Sequence, residues 1–148
     1  MTAEQIFSIA NLVAVIGWLI LIFAGRRPWA SGLVAGVILP GLLSVAYVTI
    51  LLGHWIESEG GFGSLAQVAA LFANPWLLLA GWIHYLAFDL FVGSWEVRDA
   101  VRNAVPHLLV IPCLVFTFLF GPAGFLLYLA IRGIRRRTVT IDEAARRS

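Results

Sequence analysis

Four apolar stretches, at residues 6–24, 33–52, 75–92 and 106–131, constrain this chain more than any other feature. A helix rises about 1.5 Å per residue, so roughly 20 apolar residues cross a hydrocarbon layer about 30 Å thick. Each stretch is close to that length, and Asp89 is the one charged side chain inside any of them, histidine being counted neutral. With 61% of the 148 residues hydrophobic, 12% charged and a mean hydropathy of +0.93, no single soluble core would hide so much apolar surface. The sequence therefore reads as an all-α polytopic membrane protein. It forms one domain over 1–132, a bundle of four transmembrane helices plus a short interfacial helix, and ends in a basic tail over 133–148.

Local signals set the boundaries. Gly25-Arg26-Arg27-Pro28 closes the first stretch, which has no basic segment before it and no clear cleavage motif after it, and so reads as a retained helix. The second carries Gly32-x-x-x-Gly36 and Pro40-Gly41, which suit close helix contact and a kink. Acids and glycines over 57–63 predict an exposed loop, and Ser64 then caps a short helix through Ala73 that lies along the interface. Asn74-Pro75 opens the third span, 93–105 reads as a polar loop, and Gly121-Pro122-Ala123-Gly124 predicts a kink within the fourth. Trp29, Trp55, Trp76 and Trp95 fall at predicted helix ends, where an indole ring is buried and its N–H stays near water.

The charge pattern excludes several function classes. The net charge of +2 and pI near 9.2 come from arginine clusters beside apolar runs, which fit membrane lipid headgroups rather than nucleic acid. Four crossings place Arg26, Arg27, Arg98 and Arg102 on one side and the six arginines from Arg132 onward on the other, so the positive-inside rule selects no orientation. The single cysteine, Cys113, rules out an intrachain disulfide and a four-cysteine zinc site. Three histidines, none at ligand spacing on one helix, argue against a histidine-box di-iron centre, and no metal or cofactor is expected. A nucleophile elbow, a Walker loop and a dinucleotide fingerprint are all missing.

The informative polar residues sit in and after the third span. A carboxylate at membrane depth costs about 2.5–3.5 kcal/mol on insertion scales, so Asp89 should face the bundle interior, where Tyr85, one turn earlier, can donate to it. His84 lies about 140° around the helix from Asp89, so the two do not touch on one face but have room to line one cavity. His84, Phe88, Phe91 and Trp95 recur at helical spacing, as a cradle for a flat polyene or as ordinary aromatic packing. His107 starts the fourth span where it can approach Asp89, Glu96, Arg98 or Asp99. Asp99 and Arg102 are spaced to pair, and Arg98 or Arg102 can meet a headgroup or a substrate end-group.

Two stretches resemble the ABA4-like family, membrane proteins named after the plant abscisic-acid-deficient 4 protein associated with neoxanthin formation. One runs from Trp82 to Gly93 with Trp95, Arg98 and Asp99; the other is Phe120-Gly121-Pro122-Ala123-Gly124 with Tyr128 and Arg132. The resemblance implies a role in carotenoid metabolism, where the plant reaction converts the epoxide of violaxanthin to the allene of neoxanthin. That is an isomerisation, for which acid–base groups beside a lipid-accessible cavity suffice without a cofactor. The arrangement to test has His84 as base and Asp89 or Tyr85 as acid, with Trp82, Phe88, Phe91, Trp95, Arg98 and His107 around a polyene or isoprenoid ligand. The alternatives are a non-catalytic pigment-binding or accessory subunit and a small proton-linked transporter using Asp89 as its relay. Short arginine-only loops suggest a bacterial inner-membrane protein, and the small-residue motif leaves a homo-oligomer open.

Overall fold

The computed structural model describes residues 1–56 and 59–136, and among these the chain is helical throughout its ordered elements. Helix α1 spans Ala3–Ala24 and α2 spans Trp29–His54; α3 is Leu65–Phe72, α4 Pro75–Arg102, α5 His107–Phe120 and α6 Pro122–Arg136. Glu57 and Ser58 of the expected loop, and Arg137, Arg146 and Arg147 of the expected tail, lie outside the described residues. The chain over 133–136 continues α6 instead of opening a tail.

Three helices, α1, α2 and α4, are long and apolar enough to cross a membrane. Helix α4 is the central one, packed against every other helix, and it runs ten residues past the expected end of the third span. The stretch after Val92 is polar in composition yet holds no proline before Pro106, so nothing interrupts the hydrogen-bond ladder. Ala104, at φ 48°, then turns the chain into α5. Helix α2 is irregular close to its predicted kink. Its first ten residues are wound as a π-helix that reverts to α-helical winding just before Pro40, whose missing N–H and bulky ring disfavour a regular ladder there. Ser64 caps α3, accepting from the Gln67 N–H at 3.2 Å, as its sequence position requires.

The expected fourth span is replaced by a helical hairpin. Helix α5 has 14 residues and α6 has 15, and Gly121 between them takes φ +40°. Asp89 of α4 packs on Gly121, whereas Asp99, ten residues further along α4, pairs with Arg132 of α6 at 3.0 Å. Ten residues of α4 and eleven of α6 both climb about 15–17 Å, so α6 runs alongside α4 in the same direction and antiparallel to α5. Helix α6 thus returns to the end of the bundle from which α5 set out. A methyl group on Gly124 would overlap the Thr117 backbone, which shows how tightly the two helices close.

Glycines also admit the neighbours of α4. A Cβ on Gly93 would sit 2.6 Å from the Trp18 ring, and one on Gly17 would sit 2.6 Å from Leu90. These contacts join Ala14, Trp18, Leu21, Ile83, Leu86 and Leu90 in one core.

Candidate functional site

Helix α4 presents two chemically different faces. Tyr85, Asp89, Glu96 and Asp99 fall within about 80° of one another around its axis and face the hairpin. The Tyr85 hydroxyl donates to the Phe118 carbonyl at 2.6 Å, at the last turn of α5. A Cβ on Gly121 would lie 2.8 Å from both Asp89 carboxyl oxygens, so the carboxyl rests directly on the hairpin tip. Glu96 is fully buried and accepts the Thr117 hydroxyl at 2.9 Å. Asp99 accepts the Tyr128 hydroxyl at 2.5 Å and faces the Arg132 guanidinium. One oxygen each of Asp89 and Glu96 has no hydrogen-bond partner among the described residues.

The other face carries His84. Its imidazole stacks on Phe88 with ring centres 4.6 Å apart and meets Tyr47 of α2 edge-on at 5.5 Å. Both rings line a cavity of about 300 Å³ between α2, α3 and α4, with Trp55, Phe62 and Phe72 completing its aromatic wall. An adjoining hollow of about 550 Å³ shares Tyr47, Trp55 and Phe62, and the stacked rings of Trp55 and Phe62 form the lip between them. Gly81 makes room for this wall, since a Cβ there would touch the Phe72 ring at 3.0 Å. The imidazole of His84 and the phenol of Tyr47 are the two groups in this apolar cavity that are able to move a proton.

The residues singled out from the sequence are thus divided among several environments. Tyr85 and Asp89 come together at the hairpin tip, and His84 turns away from them to the aromatic groove. Phe88 and Phe91 stay exposed on the outer surface. Trp95 is no helix-end anchor: it lies inside α4 and packs against Phe125 and Tyr128 of α6. Trp82 faces α1, donating its indole N–H to Asn11 at 3.1 Å and packing on Phe7. His107 does not approach Asp89 or Glu96; its Nε2–H donates to the Ile22 carbonyl at 2.8 Å, satisfying an orphan acceptor in the last turn of α1. Arg98 folds back along α4 to the Ser94 carbonyl at 3.2 Å, and Asp99 takes Arg132 as its ion-pair partner in place of Arg102.

Two participants were not among the candidate site residues read from the sequence. Glu96 lay in the predicted loop, and its signal was periodicity, since it continues the stripe begun by Tyr85 and Asp89. Tyr47 carries no such signal, because only the packing of α2 on α4 brings it to His84. No group of three or more metal-ligating side chains occurs among the described residues.

A chain whose described elements are all helical, with three apolar helices of spanning length and with the carboxyls of Asp89, Glu96 and Asp99 turned toward other helices, is a membrane protein. Residues 5–128 match the family model described as ABA4-like, ABA DEFICIENT 4-like, and the chain belongs to that family. No curated protein and no solved structure matches it.

Proposed function

We propose that this protein binds a carotenoid or related isoprenoid lipid in the groove between α2, α3 and α4, and isomerises it by proton transfer. The observation that carries this reading is the pairing of Tyr47 and His84, rings 5.5 Å apart, in an otherwise apolar and aromatic cavity. Aromatic walls suit the flat face of a polyene, and a phenol and an imidazole are a donor and an acceptor that need no cofactor. His84 keeps the role of base. Tyr47 takes the role of acid, because Asp89 and Tyr85 face the hairpin on another side of α4. An isomerisation returns the proton that it removes, so no electron carrier enters the reaction.

The test is to express the protein in carotenoid-producing cells, extract the purified protein, and separate the pigments by chromatography and mass spectrometry. His84→Ala should retain pigment while lowering isomer formation by about 10²–10⁴-fold, the usual contribution of a general base. Gly81→Leu, which fills the groove, should abolish retention. Isomer formation that survives both substitutions would sink the proposal, and pigment retained without turnover in the unaltered protein would reduce it to a binding role.

A further inference from the structure

The hairpin gathers the chain's positive charge at one end. His107 reaches Ile22, so the end of α1, the following Arg26 and Arg27, and the start of α5 are neighbours. A Cβ on Gly25 would touch Val97, which places the same turn beside the last part of α4, where Arg98 and Arg102 lie. Because α6 returns alongside α4, Arg132 and Arg135 come to this end as well. Asp99 is the acid there among the described residues, and it is buried against Arg132. Arg26, Arg27, Arg102 and Arg135 are exposed, with half-exposed Trp29 beside them.

The opposite end has the complementary character. His54 stacks on Trp76 at 4.6 Å, and Glu4 and Phe7 share a hollow with Pro75 and Trp82, so the start of α1, the end of α2 and the start of α4 lie together. Exposed Glu4 and Glu59 are the charged side chains of this end, and no arginine lies there among the described residues. Each basic residue near an anionic membrane surface contributes about 1 kcal/mol, and short arginine-bearing loops stay on the cytoplasmic side.

We propose that the arginine-bearing end docks on the anionic phospholipid headgroups of the cytoplasmic leaflet, with the N-terminus and α3 on the far side of the membrane. Three crossings and a hairpin that enters and leaves through one leaflet remove the conflict that four crossings create. Arginines that would otherwise be divided between two sides share one. The groove bounded by α3 then opens toward the far leaflet and takes its lipid there, a consequence that rests on the proposed function, whereas the docking does not.

Single-cysteine labelling tests the orientation, since the native Cys113 is fully buried and silent. A membrane-impermeant maleimide should modify Thr2→Cys and Gly61→Cys in right-side-out vesicles, and Ala104→Cys and Arg135→Cys only in inverted ones. Modification of Ala104→Cys and Arg135→Cys from opposite sides, or of Thr2→Cys and Arg135→Cys from the same side, would overturn the inference. Headgroup selectivity is read by tryptophan quenching with brominated phosphatidylglycerol against brominated phosphatidylcholine. Arg26→Gln, Arg27→Gln and Arg135→Gln should each lower the relative binding constant by up to about fivefold, the equivalent of 1 kcal/mol per arginine. These three leave the Asp99–Arg132 pair intact, and a ratio unchanged in the triple variant would refute the docking.

Discussion

At the tip of the hairpin, the Asp89 carboxyl lies where a side chain on Gly121 would have to go, and Gly121 also adopts φ +40°. Two penalties therefore meet at one residue. Gly121→Ala should lower stability by about 1–3 kcal/mol, the cost of a non-glycine residue in a sparsely populated backbone region, before any clash is counted. Thermal unfolding in detergent measures it. Combining the change with Asp89→Ala should recover the steric part and leave the backbone part. Asp89 itself was legible as an inward-facing charge, because lipid offers it no partner. Its neighbours were not legible, since Gly121 is 32 positions away in sequence and reaches it only because α5 packs back along α4 and ends there. Asp89→Asn should accordingly alter stability while leaving isomer formation near that of the unaltered protein, which separates it from His84→Ala.

On the scale of elements, α4 shows where composition misleads. The run from Gly93 to Arg102 looks like a loop by hydropathy, yet its two acids, Glu96 and Asp99, continue one helical stripe and are covered by α5 and α6 rather than by water. Periodicity outlasts hydropathy when a helix's polar face is covered by protein. The small-residue motif of α2 is likewise asymmetric. A Cβ on Gly36 would crowd Ser94 of α4 at 3.0 Å and the Ser31 carbonyl at 2.6 Å, whereas one on Gly32 would meet nothing within 4 Å. Gly36→Ala should cost about 1–3 kcal/mol as overpacking. Gly32→Ala should cost nothing, and equal losses at both sites in an unfolding titration would show that Gly32 also makes a packed contact, such as one with a second copy.

For the molecule as a whole, the hairpin is held to the bundle by Asp99, Tyr128 and Arg132. Removing one partner of a buried ion pair leaves the other charge uncompensated and costs about 3–5 kcal/mol. Arg132→Gln should therefore raise amide hydrogen exchange throughout α6 and leave α1 nearly unchanged, because local opening is confined to the element that loses its tether. Uniform deprotection of all helices would instead mean that α6 folds as one unit with the rest. The effect should exceed that of Thr117→Val, which removes a single donor to Glu96.

The sequence by itself determined the solvent, the helical class, the cap at Ser64, the start of α4 at Asn74-Pro75, and the inward turn of Asp89, all of which follow from local composition and from the cost of polar groups in lipid. Family membership was also readable in the Trp82–Gly93 stretch, which lies within the matched residues. Only the tertiary structure decided the direction of α6, the end at which the arginines collect, and the meeting of Tyr47 with His84. Hydropathy records how apolar a segment is and carries no information about the direction it takes after a glycine turn. That direction was set by contacts between residues distant in the chain, Asp99 with Arg132 and Asp89 with Gly121.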